Sequence, residues 1–358
     1  MKVIRTPRSV DLDITNRCNL RCRYCYHFSG PGDVDQDLSK EEWLRFFQEL
    51  NRCAVMDVTL AGGEPFFRKD LKQLIEGIVA NRMRFNILSN GTLINNNMAE
   101  FVFSTGRCNG VQVSIDGSKP ETHDACRGKG NFNRAMEGIR CLKKNNVPVQ
   151  VRVTIHRYNV SDLEAIAELL LEEIGLPGFS TNAASFMGLC RQNVDQVGLS
   201  VEDRTLAMET LLKLKSKYDN RISAQAGPLA EATMWAEMED ARQKGVSSIP
   251  MRGSLTACGC VMDKIVVRSD GTIVPCIMLS HIELGRINRD DLEEIWQHHP
   301  EMKKIRERRK IPLTDFEFCK GCQYVKYCTG NCPGHAYTLT GKVNHPRPDA
   351  CLKRFIDE

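Results

Sequence analysis

Three cysteines within eight residues, Cys18, Cys22 and Cys25, directly follow the strand-like run 10–14 near the start of the chain. Thiols at this density bind a metal or form disulfides. A structural zinc site takes four ligands, and apart from His27 no further cysteine or histidine stands at a suitable spacing. Most iron–sulfur cubes take one protein thiolate per iron. Three cysteines therefore predict a cube with one iron left open to a small molecule.

The whole chain is rich in cysteine, with 16 in 358 residues. Such a count indicates either a secreted disulfide framework or intracellular metal binding. The first nine residues contain Lys2, Arg5 and Arg8 but no apolar core of a signal peptide, and no apolar run reaches the length of a membrane span. We therefore expect reduced thiols in the cytoplasm and no contact with a membrane. A net charge of +4 gives little reason to expect a nucleic-acid partner.

The spacing Cys-x3-Cys-x2-Cys resembles that of the radical S-adenosylmethionine (SAM) enzymes. The resemblance implies that Cys18, Cys22 and Cys25 are catalytic residues that hold a 4Fe-4S cluster. It also implies that the open iron binds the amino and carboxylate groups of SAM, and that the reduced cluster splits SAM into a 5'-deoxyadenosyl radical. Tyr24 stands where related enzymes place an aromatic residue beside the adenine.

Further segments are similar to the SAM-binding motifs of the same family, among them the GGEP motif that follows Ala61. The resemblance assigns SAM contacts to Gly62, Gly63, Glu64, Asn90, Ser114 and Arg127. Glycines let the backbone approach a ligand, and an arginine donates two parallel hydrogen bonds to a carboxylate. Simpler interpretations stay open: a plain strand-to-helix turn at the glycines, a common Asn-Gly turn at Asn90, and a surface ion pair of Asp116 with Arg127.

Short β-rich runs alternate with amphipathic stretches, which predicts repeated β–α units around a parallel sheet. We predict strands near 10–14, 55–60, 84–89, 110–115, 148–155 and 178–183. A helix is expected from Ser39 to Asn51, where Ser39 and Glu42 form a capping-box signature. Six units fit the α/β fold of the radical SAM family, a partial (β/α)6 barrel, better than a closed barrel of eight units. Active residues then cluster where the strands end.

The last hundred residues contain eight more cysteines, whose spacing resembles the SPASM extension of radical SAM enzymes. The resemblance implies two auxiliary 4Fe-4S clusters, one on Cys258, Cys260, Cys276 and Cys332 and the other on Cys319, Cys322, Cys328 and Cys351. Two zinc sites are the alternative, because four-cysteine zinc sites use the same ligands. If Cys260 does not bind, the first auxiliary cluster has an open iron.

These motifs predict a radical SAM core over 1–200, a helical bridge over 201–255 and a SPASM domain over 256–358. The Met and Trp residues near Trp235 in the bridge more often indicate a core than a substrate groove. Of the other cysteines, Cys190 follows a strand end, so a role near the substrate is an alternative to packing. The rest fit no ligand spacing and are expected to be buried or loop thiols: Cys53, Cys108, Cys126 and Cys141.

The combined resemblance implies an oxidoreductase that modifies a ribosomally made peptide by crosslinking, thioether formation or dehydrogenation. The alternatives are a sulfatase-maturase-like enzyme, a radical oxidase of a haem precursor or other small molecule, and an iron–sulfur electron-transfer protein. Ile277 stands where sulfatase maturases have an acid, which disfavours that alternative. The expected partners are the peptide, a reductant such as flavodoxin or ferredoxin, and a separate leader-binding protein. The basic stretch Lys303 to Lys310 is a candidate leader-binding surface or a solvated helix face.

Overall fold

The computed structural model describes residues 3–28 and 37–351, and its centre is one large β-sheet. The strands are β1 (Ser9–Thr15), β2 (Asp57–Gly62), β3 (Arg84–Ser89), β4 (Cys108–Ser114), β5 (Val149–Ile155), β6 (Phe179–Ala183), β7 (Ile222–Ala224), β8 (Lys264–Val267), β9 (Thr272–Val274) and β10 (Gly285–Arg286). Within the described residues they lie in the order β10-β9-β8-β1-β2-β3-β4-β5-β6-β7. Strands β1 to β7 are parallel, so their carboxyl ends meet at one end of the sheet.

All six predicted strands are present, close to their predicted bounds, and the predicted α/β fold is confirmed. The structure adds β7, a seventh parallel strand that pairs with β6. The sequence does not predict β7, because its three residues, Ile-Ser-Ala, are too short to form a recognisable β-rich run.

Helices follow most of the parallel strands, and several of them share one buried hydrophobic core with the sheet. They are α1 (Lys40–Arg52), α2 (Leu71–Ala80), α3 (Asn96–Ser104), α4 (Pro120–Arg127), α5 (Asn131–Lys144), α6 (Leu163–Glu168), α7 (Gly188–Gln192), α8 (Val194–Val197), α9 (Val201–Lys217), α10 (Pro228–Gln243), α11 (Cys260–Asp263), α12 (Leu292–His298), α13 (Pro300–Glu307) and α14 (Pro333–Thr340). Both hydrogen bonds of the predicted capping box form at the start of α1. In the described residues no helix combines the length and apolar character needed to cross a bilayer.

The strands alternate between an apolar outer face and a polar inner face. In β1, Leu12 and Ile14 join the buried core with the helices, whereas Asp13 between them points to the other side of the sheet. In β5, Arg152 and Thr154 occupy the corresponding inner positions. The inner face of the sheet therefore carries the side chains available to a site inside the partial barrel.

The cysteine-rich C-terminal segment shares its sheet and its core with the barrel. Strand β8 pairs parallel with β1, and β9 and β10 extend the sheet antiparallel from there. One buried hydrophobic cluster includes residues from Val10 to Ile305. The three-part division at residues 200 and 255 stays a prediction, and both sheet and core continue across the second boundary.

The predicted helical bridge, 201–255, contains more than helices. It consists of α9, the strand β7 and α10, so part of it belongs to the main sheet. On α10, Met238 is buried against Tyr324 and Tyr327, and Trp235 packs on the same cluster. As expected from the sequence, Met238 and Trp235 belong to a hydrophobic core, whereas Met234 both packs on this core and lines a neighbouring groove.

Candidate active site

The loop after β1 places the three N-terminal cysteines on the wall of a cavity of about 230 Å³ at the carboxyl ends of the strands. Cys18, Cys22 and Cys25 all line this cavity. Six of the predicted SAM contacts line it as well: Tyr24, Gly62, Gly63, Asn90, Ser114 and Arg127. The structure thus brings together residues that are more than a hundred positions apart in the sequence.

Hydrogen-bond donors surround the cysteine sulfurs. Cys18 Sγ accepts from the backbone N–H of Leu20 at 3.4 Å and from Asn90 Nδ2 at 3.8 Å. Backbone N–H groups of His27 and Phe28 donate to the Cys25 thiol. Such donors stabilise sulfur atoms that carry negative charge as ligands of iron.

Burial opposes ionisation of these thiols. It raises the pKa of Cys18 to about 11 and that of Cys22 to about 12, although the nearby Arg127 lowers the pKa of Cys22. Metal ligation takes the thiolate form, so the positive charge of bound iron would stabilise what the protein alone disfavours. In the part of the chain that the structure describes, no three Cys, His, Asp or Glu side chains converge as around a single metal ion. Three thiols on one loop, facing a cavity and met by N–H donors, fit a multi-iron cluster.

The glycines of the GGEP motif are required by close packing against the cysteine loop. Gly62 has a φ of +109°, which favours glycine. A Cβ atom on Gly62 would lie 2.3 Å from the carbonyl oxygen of Thr15, and one on Gly63 would lie 2.2 Å from that of Arg17. The interpretation as a plain turn that needs only one glycine therefore does not account for this site.

The side chain of Glu64 lies behind the cavity wall, where the sequence predicts a SAM contact. It is fully buried, and its Oε2 accepts from Asn90 N at 2.7 Å while Oε1 accepts from Ser89 Oγ at 2.9 Å and Phe66 N at 3.1 Å. Burial raises the pKa of Glu64 to about 7, and these hydrogen bonds oppose that rise. Asn90 Nδ2 in turn donates to Asn19 Oδ1 in the cysteine loop at 2.9 Å. Glu64 therefore positions the Asn90 turn, which holds the loop.

Tyr24, Asp116 and Arg127 form a buried network beside the cysteines. Tyr24 Oη and Arg127 Nε both donate to Asp116 Oδ2, and Thr154 N donates to Oδ1 at 2.8 Å. Asp116 is fully buried and Arg127 is 7% exposed, so the interpretation as a surface ion pair is wrong. Burial opposes ionisation of Asp116, but Arg127 and two nearby histidines together lower its pKa. Arg127 is thereby fixed against the cavity.

Several cavity residues were missed by motif matching. They are inner-face residues of β4, β5 and β6 and of the loop after β6: Gln112, Arg152, Thr154, Asn182 and Ser185. Their signal in the sequence is polar residues at every second position of consecutive strands. This alternation marks a shared polar face, but it does not reveal which residues reach the cavity.

The loop after β6 connects the cavity to the C-terminal segment. Ser185 Oγ lies 3.2 Å from Nε2 of His335, a buried residue of α14. Burial lowers the pKa of His335 to about 3. The His335 backbone N–H donates to the thiol of Cys332, so one turn of helix separates the cavity wall from a predicted cluster ligand.

The first predicted auxiliary group is assembled from three distant segments. The Cys258 and Cys260 thiols are hydrogen-bonded to each other, and the Cys260 thiol also interacts with that of Cys276. Burial and the proximity of Cys258 raise the pKa of Cys332. Cys260 thus lies next to the thiols of Cys258 and Cys276, and its role as a ligand stays a prediction.

The second predicted auxiliary group lies under α10. The thiols of Cys322 and Cys351 are close enough to Cys328 to raise its pKa, after burial as the main cause. The Cys322 N–H donates to the Cys319 carbonyl at 3.2 Å, which forms a tight turn between these two cysteines. Cys322 and Cys328 pack against the small hydrophobic cluster around Met238.

Three buried charges, Arg204, Glu231 and Arg347, together with the partly buried Asp349, attach the loop before Cys351 to the bridge. On α9, Arg204 Nη1 lies 2.6 Å from Oε2 of Glu231 on α10, and Arg204 Nη2 lies 3.2 Å from Asp349 Oδ2. Arg347 Nη1 lies 3.3 Å from Glu231 Oε1, and Arg347 Nε lies 2.5 Å from Asp349 Oδ1. Because each charge has two opposite partners, the loop that leads to Cys351 is fixed to both helices.

The remaining cysteines have the environment of packing residues. Cys190 is fully buried and joins Cys126 and Val197 in a small apolar cluster next to Tyr24. Cys141 is also buried, whereas Cys53 and Cys108 are half-buried. None of these five cysteines is among the described residues that line the cavity.

The basic stretch Lys303 to Lys310 differs from a solvated helix face at two positions. Arg306 is buried and donates to the carbonyls of Val261 and Trp296. Arg308 is fully buried, and its guanidinium likewise donates to backbone carbonyls. The exposed basic residues of this stretch are Lys303, Lys304 and Lys310.

Comparison with known families gives two matches along the chain. Residues 12–170 match the radical SAM superfamily, and residues 258–323 match SPASM, an iron–sulfur cluster-binding domain. The first match contains the cysteine loop and most of the cavity, and the second contains five of the eight C-terminal cysteines.

Individual relatives are similar over nearly the whole chain. Fe-coproporphyrin III synthase of Methanosarcina barkeri is 28% identical over 92% of this chain and 84% of its own length. PqqA peptide cyclase of Granulibacter bethesdensis is 27% identical over 98% of this chain and 89% of its own length. Among solved structures, Streptococcus suis SuiB bound to its precursor peptide SuiA superposes with a TM-score of 0.73 at 16% identity, over 98% of this chain and 76% of SuiB.

These matches agree with the geometry of the two cysteine regions. Both domains imply 4Fe-4S clusters, and the first implies SAM. The alternative of a non-catalytic electron-transfer protein is wrong, because the SAM-binding elements of an enzyme are present. The chain is a radical SAM enzyme with a SPASM iron–sulfur domain.

Proposed function

We propose that this enzyme oxidises a carbon atom of a ribosomally made peptide and holds three 4Fe-4S clusters. Cys18, Cys22 and Cys25 hold the SAM-binding cluster, and the eight C-terminal cysteines hold the two auxiliary clusters. When bound, SAM and the reduced cluster supply a radical that removes a hydrogen atom from an unactivated carbon. Arg127 and Ser114 orient SAM against the cysteines, and the cavity excludes water from the reacting carbon.

The observation that carries the peptide assignment is an open sheet edge next to the cavity. Within the described residues β7 has a strand partner on one side only. A groove of about 500 Å³ runs beside β7 and is lined by Ile222, Ala224, Leu229 and Met234. Strand β6, the neighbour of β7, ends in cavity residues. An extended peptide can pair with such an edge and reach the cavity.

The relatives support the same class of substrate. PqqA peptide cyclase is a peptide-modifying enzyme by name, and its similarity extends over 98% of this chain. The SuiB complex shows that this fold accepts a precursor peptide. The type of bond formed follows from neither, so crosslinking, thioether formation and dehydrogenation are all included.

We also propose where the enzyme works, what reduces it and how the leader of the peptide is bound. Reduced thiols place the enzyme in the cytoplasm, where a flavodoxin or ferredoxin supplies the electron. A separate protein binds the leader of the peptide. The exposed basic residues near Arg309 are its proposed contact on this chain.

The test is mass spectrometry of a short peptide encoded beside the gene, after anaerobic incubation with enzyme, SAM and dithionite. Oxidation predicts a loss of two hydrogens from the peptide in proportion to the 5'-deoxyadenosine formed. The matched control is the Cys18→Ala/Cys22→Ala/Cys25→Ala variant, which leaves the peptide mass unchanged. If wild-type enzyme consumes SAM and the peptide mass stays constant, even with the leader-binding protein added, the peptide proposal is wrong.

A second candidate function is oxidation of a haem precursor. The similarity to Fe-coproporphyrin III synthase, which covers 92% of this chain, favours it. The same assay with an iron porphyrin in place of the peptide separates the two candidates, since only the true substrate raises 5'-deoxyadenosine formation.

A further inference from the structure

Arg152 is a cation on the inner face of the barrel without an ionic partner. It lines the cavity, and its Nε donates to Ser180 Oγ at 3.2 Å. Among the described residues no carboxylate lies within 4 Å of its guanidinium. Burial lowers the pKa of Arg152, while Tyr26 and Asp11 raise it from a distance. A partly buried charge without a counter-ion is unfavourable unless a ligand supplies one.

Two amide side chains beside Arg152 also lack partners. Gln112 is 7% exposed and lines the cavity, and its Oε1 accepts no hydrogen bond. Asn182, on β6, lines the cavity with an Oδ1 atom that is likewise without a partner. Each amide can present either its oxygen or its NH2 group by turning about its last bond. Buried polar atoms without partners are rare in folded proteins, so these two point to a polar ligand.

Of the other charged groups nearby, Arg127 and Asp11 have ionic partners, and burial opposes ionisation of Asp13. Arg127, the second cation on the cavity wall, is bound to the buried Asp116. Asp11 lies 3.1 Å from Lys264 Nζ. Asp13 is buried, and burial raises its pKa to about 7. Arg152 is therefore the cavity arginine that has no carboxylate partner among the described residues, whereas Arg127 has Asp116 and is the arginine proposed to orient SAM.

We propose that Arg152, with Gln112 and Asn182, binds a carboxylate of the peptide substrate and so selects an acidic residue at or next to the oxidised position. This inference rests on the proposed function. A guanidinium donates two parallel hydrogen bonds to a carboxylate, and an amide NH2 group turned toward the same oxygen adds a third. The carboxylate belongs to an Asp or Glu side chain or to the end of the peptide chain.

The test uses small blocked probes with the reconstituted, SAM-loaded enzyme. Binding of N-acetyl-glutamate N-methylamide is compared by calorimetry with that of the matched glutamine compound, and N-acetyl-alanine represents a terminal carboxylate. A charged hydrogen-bonded contact predicts about 10- to 100-fold tighter binding of a carboxylate probe than of the glutamine probe. The carboxylate probe that binds more tightly identifies the source. Equal binding of all three probes would overturn the proposal.

Variants assign the effect to Arg152. Arg152→Gln is expected to abolish the preference, Arg152→Lys to retain part of it, and Gln112→Leu to weaken it. The control is Arg140→Gln, which removes an arginine that is 68% exposed and leaves the preference intact. Arg152→Lys keeps the positive charge at this position, so it tests the contact even if Arg152→Gln does not fold.

Two further outcomes separate this inference from other accounts. We expect the affinity for SAM to change by less than about twofold in Arg152→Lys, and a loss as large as the loss of probe binding would assign Arg152 to the SAM carboxylate instead. In the peptide assay, amide replacement of the acidic residues should reduce the two-hydrogen loss. If it does not, the carboxylate site is wrong while the peptide function stands. If no peptide reacts, the function is wrong, and the probes still decide whether the carboxylate site exists.

Discussion

The two cysteine regions of this enzyme are built in opposite ways. The N-terminal three come from one eight-residue loop and all line the cavity. The C-terminal eight come from separate segments, and none is among the described residues that line the cavity. Cys322 and Cys328 pack against the hydrophobic cluster around Met238 of α10, and the thiols of Cys258 and Cys260 are hydrogen-bonded to each other. A triad that lines a cavity suits a cluster that meets a small molecule, whereas groups away from the cavity suit clusters that only transfer electrons.

The largest effect is expected from removal of the N-terminal triad. Cys18→Ala/Cys22→Ala/Cys25→Ala should abolish 5'-deoxyadenosine formation under dithionite, because no iron then remains open to SAM. Cys108→Ala, which changes a half-buried thiol away from the cavity, serves as the control and should retain activity. The 5'-deoxyadenosine formed by each variant is measured by chromatography. If the triple variant forms as much 5'-deoxyadenosine as the wild type, the site assignment is wrong.

A smaller effect is expected where the wall of the cavity is held by charge. Asp116→Asn leaves Arg127 buried without its anion, and breaking a buried pair in this way costs about 3–5 kcal/mol of unfolding free energy. The exposed pair Glu137 and Arg140 offers a control, because Glu137→Gln should cost no more than about 1 kcal/mol. Chemical denaturation compares the two variants. Equal losses would show that the Asp116 pair does not hold this wall.

The smallest effect concerns Asp13 on the inner face, whose buried carboxyl has a pKa of about 7 instead of 3.8. Between about pH 4 and pH 7 the Asp13 carboxyl keeps its proton in the folded state, whereas the unfolded chain releases it. The contribution of Asp13 to the free energy of unfolding is therefore fully present below pH 4 and is lost as the pH rises to about 7. Relative to Asp13→Asn, the wild type should lose about 1 kcal/mol per pH unit between pH 5.5 and 7 and nothing further above. Parallel stability curves for the two proteins would refute this.

Sequence reasoning succeeds where local pattern and chemistry coincide. The six strands follow from alternating residue types, and the cysteine groups follow from spacing, because a multi-iron cluster restricts how far apart its ligands stand. Strand β7 is too short to carry such a pattern. The position of Glu64 behind the wall and the burial of Arg308 depend on tertiary packing, as their residue types alone predict ligand or solvent contacts. Arg152 and Gln112 share no motif and are brought together only by the register of β4 and β5.

The central claim is that one cluster on the N-terminal triad binds SAM while the C-terminal cysteines hold two others. The direct measurement is iron content with electron paramagnetic resonance of the reduced enzyme, before and after addition of SAM. We predict about twelve irons in the wild type and about eight in the triple alanine variant, with a SAM-dependent change of spectrum in the wild type alone. A wild type that holds zinc and never exceeds about four irons, or a triple variant whose spectrum still responds to SAM, would contradict the account.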